Sequence, residues 1–178
     1  KEFESNDKDG EIYRWSSLRK VSFENNGSWM ILARINDVKR ELQEEAKGMG
    51  LYFQDMKGNK SYDMNQWKAI QDWEKICNGG SITREDACIM YNYLLNIDHG
   101  YRSADSKKWS FAHPNQLFDY DQLHLRGGMV EEKGSWQEAF KRKFKESEKR
   151  YFIKLIESEV NLDEKAPILI DTIHQVKN

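Results

Sequence analysis

SWMILARINDVKRELQEEAKGMGLYF, residues 28–53, decides how the fold is read. Ser28 stands in an N-cap position. Ile31, Ile35, Val38, Leu42 and Ala46 follow at intervals of three and four, which puts them on one face of a helix, and Gly48 stops the run. Ile31, Ile35, Val38 and Leu42 are therefore expected in the core. Leu51, Tyr52 and Phe53 then read as a short strand, closed by the turn from Asp55 to Asn59.

Before this stretch, Ile12, Tyr13, Trp15, Leu18, Val21 and Phe23 give short apolar runs suited to strands, and Asn25-Asn26-Gly27 is a turn signal. Residues 1–10, KEFESNDKDG, are polar and read as a lead-in to the domain. After the stretch, Asp63 caps a second helix with Trp67, Ile70, Trp73 and Ile76 or Cys77 on one face. Asn78-Gly79-Gly80 ends it. Thr83 and Asp86 resemble a capping pair, and a third helix carries Ala87, Met90, Leu94 and Ile97. Ser135 and Glu138 match the box S-x-x-E and open a helix expected to run to about Val160. Its stripe is Trp136, Phe140, Phe144, Tyr151, Leu155 and Ile156. A last helix is expected near Pro167 to Val176, with proline in its first turn. About five helices with a few short N-terminal strands make a helix-rich α+β domain. Residues 11–178 read as one globular unit with a long irregular insert at 98–128.

Composition agrees with one domain. The chain has 178 residues, of which 38% are hydrophobic and 33% charged. Six Trp, eight Tyr and eight Phe argue against disorder and for an aromatic core. The 28 basic and 30 acidic residues give a net charge of -2, so the overall balance supplies no electrostatic reason for nucleic-acid binding, although local basic clusters remain open. No apolar run of about 18 residues occurs, so membrane insertion is not expected. No signal-peptide pattern opens the chain. Cys77 and Cys88 suit no zinc motif, and a reduced, intracellular and cytoplasmic protein is the expectation. The chain opens on Lys1, which reads as a domain cut from something longer.

The chemistry gathers in the insert, DHGYRSADSKKWSFAHPNQLFDYDQLHLRGG. Three of the four histidines are here, and long loops on a rigid scaffold carry function disproportionately. His99, Asn115 and His124, spaced by 16 and 9 residues, loosely resemble the site of a His-Asn-His nuclease. That resemblance implies His99 as the activator of water, Asn115 as its orienter, and a bound metal stabilising the leaving phosphate oxygen. It covers about 26 residues, and it departs from the family in having a helix before His99 and no turn glycines between His99 and His113. Apart from any family, His113, Asp119, Asp121 and His124 supply imidazole and carboxylate, which suit a divalent metal ion. The competing reading gives each residue a local duty. Asp119 and Asp121 cap a short helix holding Leu123 and Leu125, and His113 precedes the turn residue Pro114.

Two further patterns stand beside these. Residues 5–12, SNDKDGEI, resemble part of an EF-hand calcium loop, but Ser16 holds the position of the bidentate Glu; Lys75, Cys77 and Gly79 fit that template more poorly. Arg102, Lys107, Lys108, Trp109 and Arg126 form a basic patch with an aromatic among the cations, a pattern that suits bases stacking on Trp109, although the favoured reading makes Trp109 the anchor of a long loop to the core. The basic faces of 136–160 are interleaved with Glu four residues away, as in Glu138 with Arg142 and Glu146 with Arg150, which reads as a self-neutralised surface. The expected function is a binding or interaction module, with another protein as partner and the insert as its working surface. The alternatives are a metal-dependent phosphodiesterase or nuclease, and a nucleic-acid-binding domain. The choice turns on whether the three histidines converge in space.

Overall fold

A computed structural model describes residues 17–23 and 28–174. The lead-in, the EF-hand-like segment, the strand residues Ile12 to Trp15 and the turn at 25–27 lie outside the described residues. Leu18–Lys20 forms a 3-10 turn, not a strand.

Residues 28–53 fold as strand, helix, strand: β1 (Trp29–Ala33), α1 (Asn36–Met49) and β2 (Phe53–Gln54). The expected helix start at Ser28 is thus wrong. Trp-Met-Ile-Leu is a run that periodicity alone cannot divide between strand and helix. It becomes a strand because a partner offers its backbone groups. That partner is β5 (Ile168–Thr172), where a last helix was expected. β5 pairs in parallel with β1, Trp29 opposite Ile168 through Ala33 opposite Thr172, and with β2, Phe53 opposite Ile168. The sheet order is β1-β5-β2, so the last described strand of the chain is the central one. An uninterrupted apolar run such as Ile168-Leu169-Ile170 is what a central parallel strand carries.

The core face of α1 is correspondingly narrower than expected. Ala46 is fully buried, and Leu42 and Met49 pack beside it on Phe53, Ile168 and Ile170. Ile31 reaches this small core from β1. Ile35 and Val38 are 53% and 38% exposed, so they are not core residues. The helix ends at Gly50, two residues beyond Gly48. There φ is +83, and the N–H closes on the Ala46 and Lys47 carbonyls, a left-handed C-cap that favours glycine. Met30 and Leu32, on the other face of β1, are 53% and 42% exposed.

The rest of the molecule is helical around a larger aromatic core. α2 (Met64–Cys77) starts where expected, with the Asp63 carboxylate accepting from the Asn65 and Gln66 N–H groups. Ile70, Trp73 and Ile76 are buried, as their spacing requires. β3 (Ile82–Thr83) leads into α3 (Arg84–Tyr91), which Thr83 caps through the Asp86 N–H. β4 (Leu117–Phe118) pairs antiparallel with β3. α4 is Tyr120–Arg126, α5 Trp136–Ala139 and α6 Glu146–Glu157.

The expected helix from Ser135 to Val160 is therefore broken in two. Ser135 makes no side-chain cap bond, so the S-x-x-E box does not form. Residues 140–145 leave the helix: the Arg142 N–H donates to the Tyr93 carbonyl, and Lys143 sits at φ +53. The apolar stripe survives the break. Trp136, Phe140, Phe144, Tyr151 and Leu155 are all buried, while Ile156 is 39% exposed. Neither expected Glu–Arg pair forms; Glu146 instead meets Lys149 at 3.4 Å. Helices thus dominate, five of them with seven or more residues, in one α+β domain. Among the described residues no helix is long and apolar enough to cross a membrane. Cys77 and Cys88 are unpaired.

Candidate functional site

The insert is ordered by its ends and by one aromatic anchor. Ile97 and Met129 form an antiparallel bridge, the Asp98 N–H donates to the Gly128 carbonyl at 2.9 Å, and the Val130 N–H to the Asn96 carbonyl at 3.1 Å. Gly128 sits at φ +71 against Tyr101, where a Cβ would fall 2.2 Å from a ring carbon. Only glycine suits both the dihedral and the contact. Between these ends run two 3-10 turns, His99–Tyr101 and Lys107–Trp109, then β4 and α4. The segment is more regular than its sequence implied.

Trp109 is 1% exposed and holds the segment to the core. Its ring stacks at 6.3 Å on Tyr91, meets Tyr101 and Phe118 edge-on, and donates from Nε1 to the Tyr101 carbonyl. A base cannot stack on a ring packed on all sides, so Trp109 takes the anchoring role and the stacking role in the basic patch is corrected. Phe111, 43% exposed, is the aromatic of this group that reaches solvent.

The histidines each have separate partners. His113 Nδ1 accepts from the Asn115 N–H at 3.4 Å, inside the turn around Pro114. His124 is exposed and lies parallel to Tyr120, with ring centroids 5.7 Å apart. Asp119 is the N-cap of α4: its carboxylate accepts from the Gln122 N–H at 2.8 Å, and the Gln122 side chain accepts from the Asp119 N–H at 3.2 Å. Asp121 lies exposed in the first turn of the same helix. Among the described residues no three His, Cys, Asp or Glu side chains gather as a set able to hold a metal ion. Among the described residues no hydrogen bond joins His99, Asn115 and His124 to one another, and the local duties expected of Asp119 and His113 are those observed.

What does converge is cationic. Arg102 Nε donates to His99 Nδ1 at 2.9 Å, and Arg142 Nη1 lies 3.4 Å from the same nitrogen. Arg102 Nη2 donates to the Leu94 carbonyl, and its Nη1 is buried without a hydrogen-bond partner. Burial, and then the charge of Arg142, push the Arg102 guanidinium below its ordinary value. Asp98, next to His99 in the chain, is engaged by Lys108 Nζ and by the Gly100 N–H. The Lys108 bond and the Gly100 N–H hold that carboxyl below the usual range. Lys108 also lies over the Tyr101 ring, 5.4 Å from its centroid. Lys107 and Arg126 are exposed. Sequence spacing separated Arg142 from the insert by 14 residues beyond its end, so the patch read from sequence omitted it. The Arg142–Tyr93 backbone bond, flanked by the Phe140 and Phe144 rings on Tyr93, brings it in.

No family model matches the chain, and no curated protein or solved structure matches it.

Proposed function

We propose that the chain is a binding module, that it works inside the cell, and that residues 98–128 are its working surface. The observation that carries this reading is the separate employment of His99, His113, His124 and Asp119. Each is used locally, while the segment they decorate is fixed to the core by Trp109 and left exposed along its outer side. A rigid scaffold that presents polar side chains outward without converging them suits recognition better than bond cleavage. Another protein is the leading partner.

The test compares His113→Ala and His124→Ala with the parent. Both variants should fold, melt within about 0.5 kcal/mol of the parent, and carry no less metal by elemental mass spectrometry. Stoichiometric zinc or manganese in the parent, lost in both variants, would overturn the reading in favour of a metal-dependent hydrolase.

A nucleic acid as partner is favoured by one specific observation. Arg102 and Arg142 meet at His99, and among the described residues neither makes an ion pair with a carboxylate. Cations left without an internal counter-charge are available to phosphates. Lys107, Lys108 and Arg126 extend the same cationic segment. Binding to a labelled oligonucleotide that weakens steeply with added salt would support this partner, and the absence of binding at low salt would remove it.

A further inference from the structure

We propose that His99, Arg102 and Arg142 form a site for a phosphate group, at the place where the insert meets the break between α5 and α6. The proposal deepens the binding-module reading and rests on it. Three observations carry it. First, two guanidiniums approach one imidazole nitrogen at 2.9 and 3.4 Å. Like charges held this close raise each other's energy, and an anion between them relieves it. Second, Arg102 Nη1 is a buried charged donor with no acceptor. Such a group carries its full desolvation cost until something accepts from it. Third, the backbone builds the arrangement. Arg102 is tied to the Leu94 carbonyl and Arg142 to the Tyr93 carbonyl, one residue apart on the same turn after α3. The Arg102 fork and the Arg142 backbone are therefore anchored on one element, and the Arg142 guanidinium reaches from there to His99.

The ligand chemistry follows from the donors. Guanidinium forks match the paired oxygens of a tetrahedral oxyanion, and Arg is favoured over Lys where such bidentate contacts matter. His99 is exposed, so its ring can turn aside and free the Arg102 Nε–H and Arg142 Nη1 for an incoming oxygen. Lys141 and Lys143, on either side of Arg142, are exposed and add to the local positive potential. A phosphate dianion gains more from this than a single carboxylate does.

The experiment titrates the whole chain with orthophosphate at constant chloride, following the arginine Nε–H and histidine ring resonances by NMR. Saturable shifts of Arg102 and His99 are expected at millimolar concentrations, the usual range for a small anion with about 4 kcal/mol of binding energy. Arg142→Ala should weaken binding at least tenfold and Arg142→Lys by less. Lys57→Ala, on an exposed turn beyond β2, should change nothing. A second arm uses a short thymidine oligonucleotide. Shifts of the same resonances by both ligands assign the site to backbone phosphate, and shifts by orthophosphate alone assign it to a free phosphate. Either result supports the site. Shifts no larger than those given by added chloride, or equal losses in Arg142→Ala and Lys57→Ala, overturn it. If the site fails while a partner still protects residues 98–128 from hydrogen exchange, the binding-module reading stands without it.

Discussion

Asp171 shows how one buried charge is made tolerable. It is 2% exposed at the end of β5. Its carboxylate accepts from Lys39 Nζ at 2.8 Å, the Met56 N–H at 2.9 Å and its neighbour Thr172 N–H at 2.7 Å. Burial alone would raise the carboxyl; Lys39 and the two backbone donors outweigh that and hold it below the usual carboxylate range. A carboxyl depressed in the folded state stabilises the fold above its unfolded value of about 4 and loses that contribution as pH falls through the folded value. Asp171→Asn should therefore flatten the acid limb of a pH–stability curve, with little change in its shape near neutrality. Asp171→Ala should cost about 3 kcal/mol at pH 7, because Lys39 and the Met56 N–H lose their partner. An acid limb identical to the parent's would show that the carboxylate does not carry that pH dependence. Trp109 is the apolar counterpart. Its removal opens a cavity between Tyr91, Tyr101 and Phe118, and Trp109→Ala should cost about 3 to 5 kcal/mol in a denaturant melt. A loss below about 1 kcal/mol would mean that the insert does not depend on this anchor.

At the scale of elements, two sequence signals of similar appearance have opposite outcomes. Asp119 with Gln122 makes a reciprocal capping box, while Ser135 with Glu138 makes none. Asp119→Ala should then cost about 0.5 to 2 kcal/mol, and Ser135→Ala less than about 0.5 kcal/mol. Equal losses in thermal melts would contradict the observed caps. The same contrast runs through α1. Leu42 packs on the sheet and Ile35 does not, so Leu42→Ala should cost about 1 to 2 kcal/mol, below the range for a fully buried leucine, and Ile35→Ala close to nothing. These contrasts show what was legible. Helices capped by their own neighbours, such as α2 behind Asp63 and α3 behind Thr83, could be read from sequence because every group involved is local. The stripe from Trp136 to Leu155 was legible as core but not as two helices, since the break is made by a bond to Tyr93 some 49 residues earlier. β1 was misread for the same reason: its helical spacing is real, but its partner lies at the far end of the chain. In the insert, the local duties of Asp119 and His113 were readable. The meeting of Arg142 with His99 was not, because nothing in their spacing implies it.

For the whole molecule, the decisive contact joins the two ends of the described chain. β1 and β2 have no pairing with each other; both pair with β5. Ile168 and Ile170 are also two of the five buried residues in the small core under α1. Parallel strands need a crossover connection, so the sheet cannot close until residues 29 and 172 are both in place. The larger aromatic core, from Tyr52 and Trp73 through Trp109 to Leu155, contains no residue of β5. The two cores should therefore differ in their dependence on the C-terminal segment. Removal of residues 167–178 leaves β1 without a neighbouring strand and β2 with only its bridge from Gln54 to Lys60, and strips the small core of its centre. Amide protection by hydrogen exchange should then vanish from β1, β2 and the sheet-facing side of α1, while α2, α3 and the Trp109 region keep most of theirs. Loss of protection throughout would show that the two cores unfold as one unit and that β5 holds the helical part as well. Protection retained in β1 would show that the strand does not need β5, against the pairing by which the sheet is built.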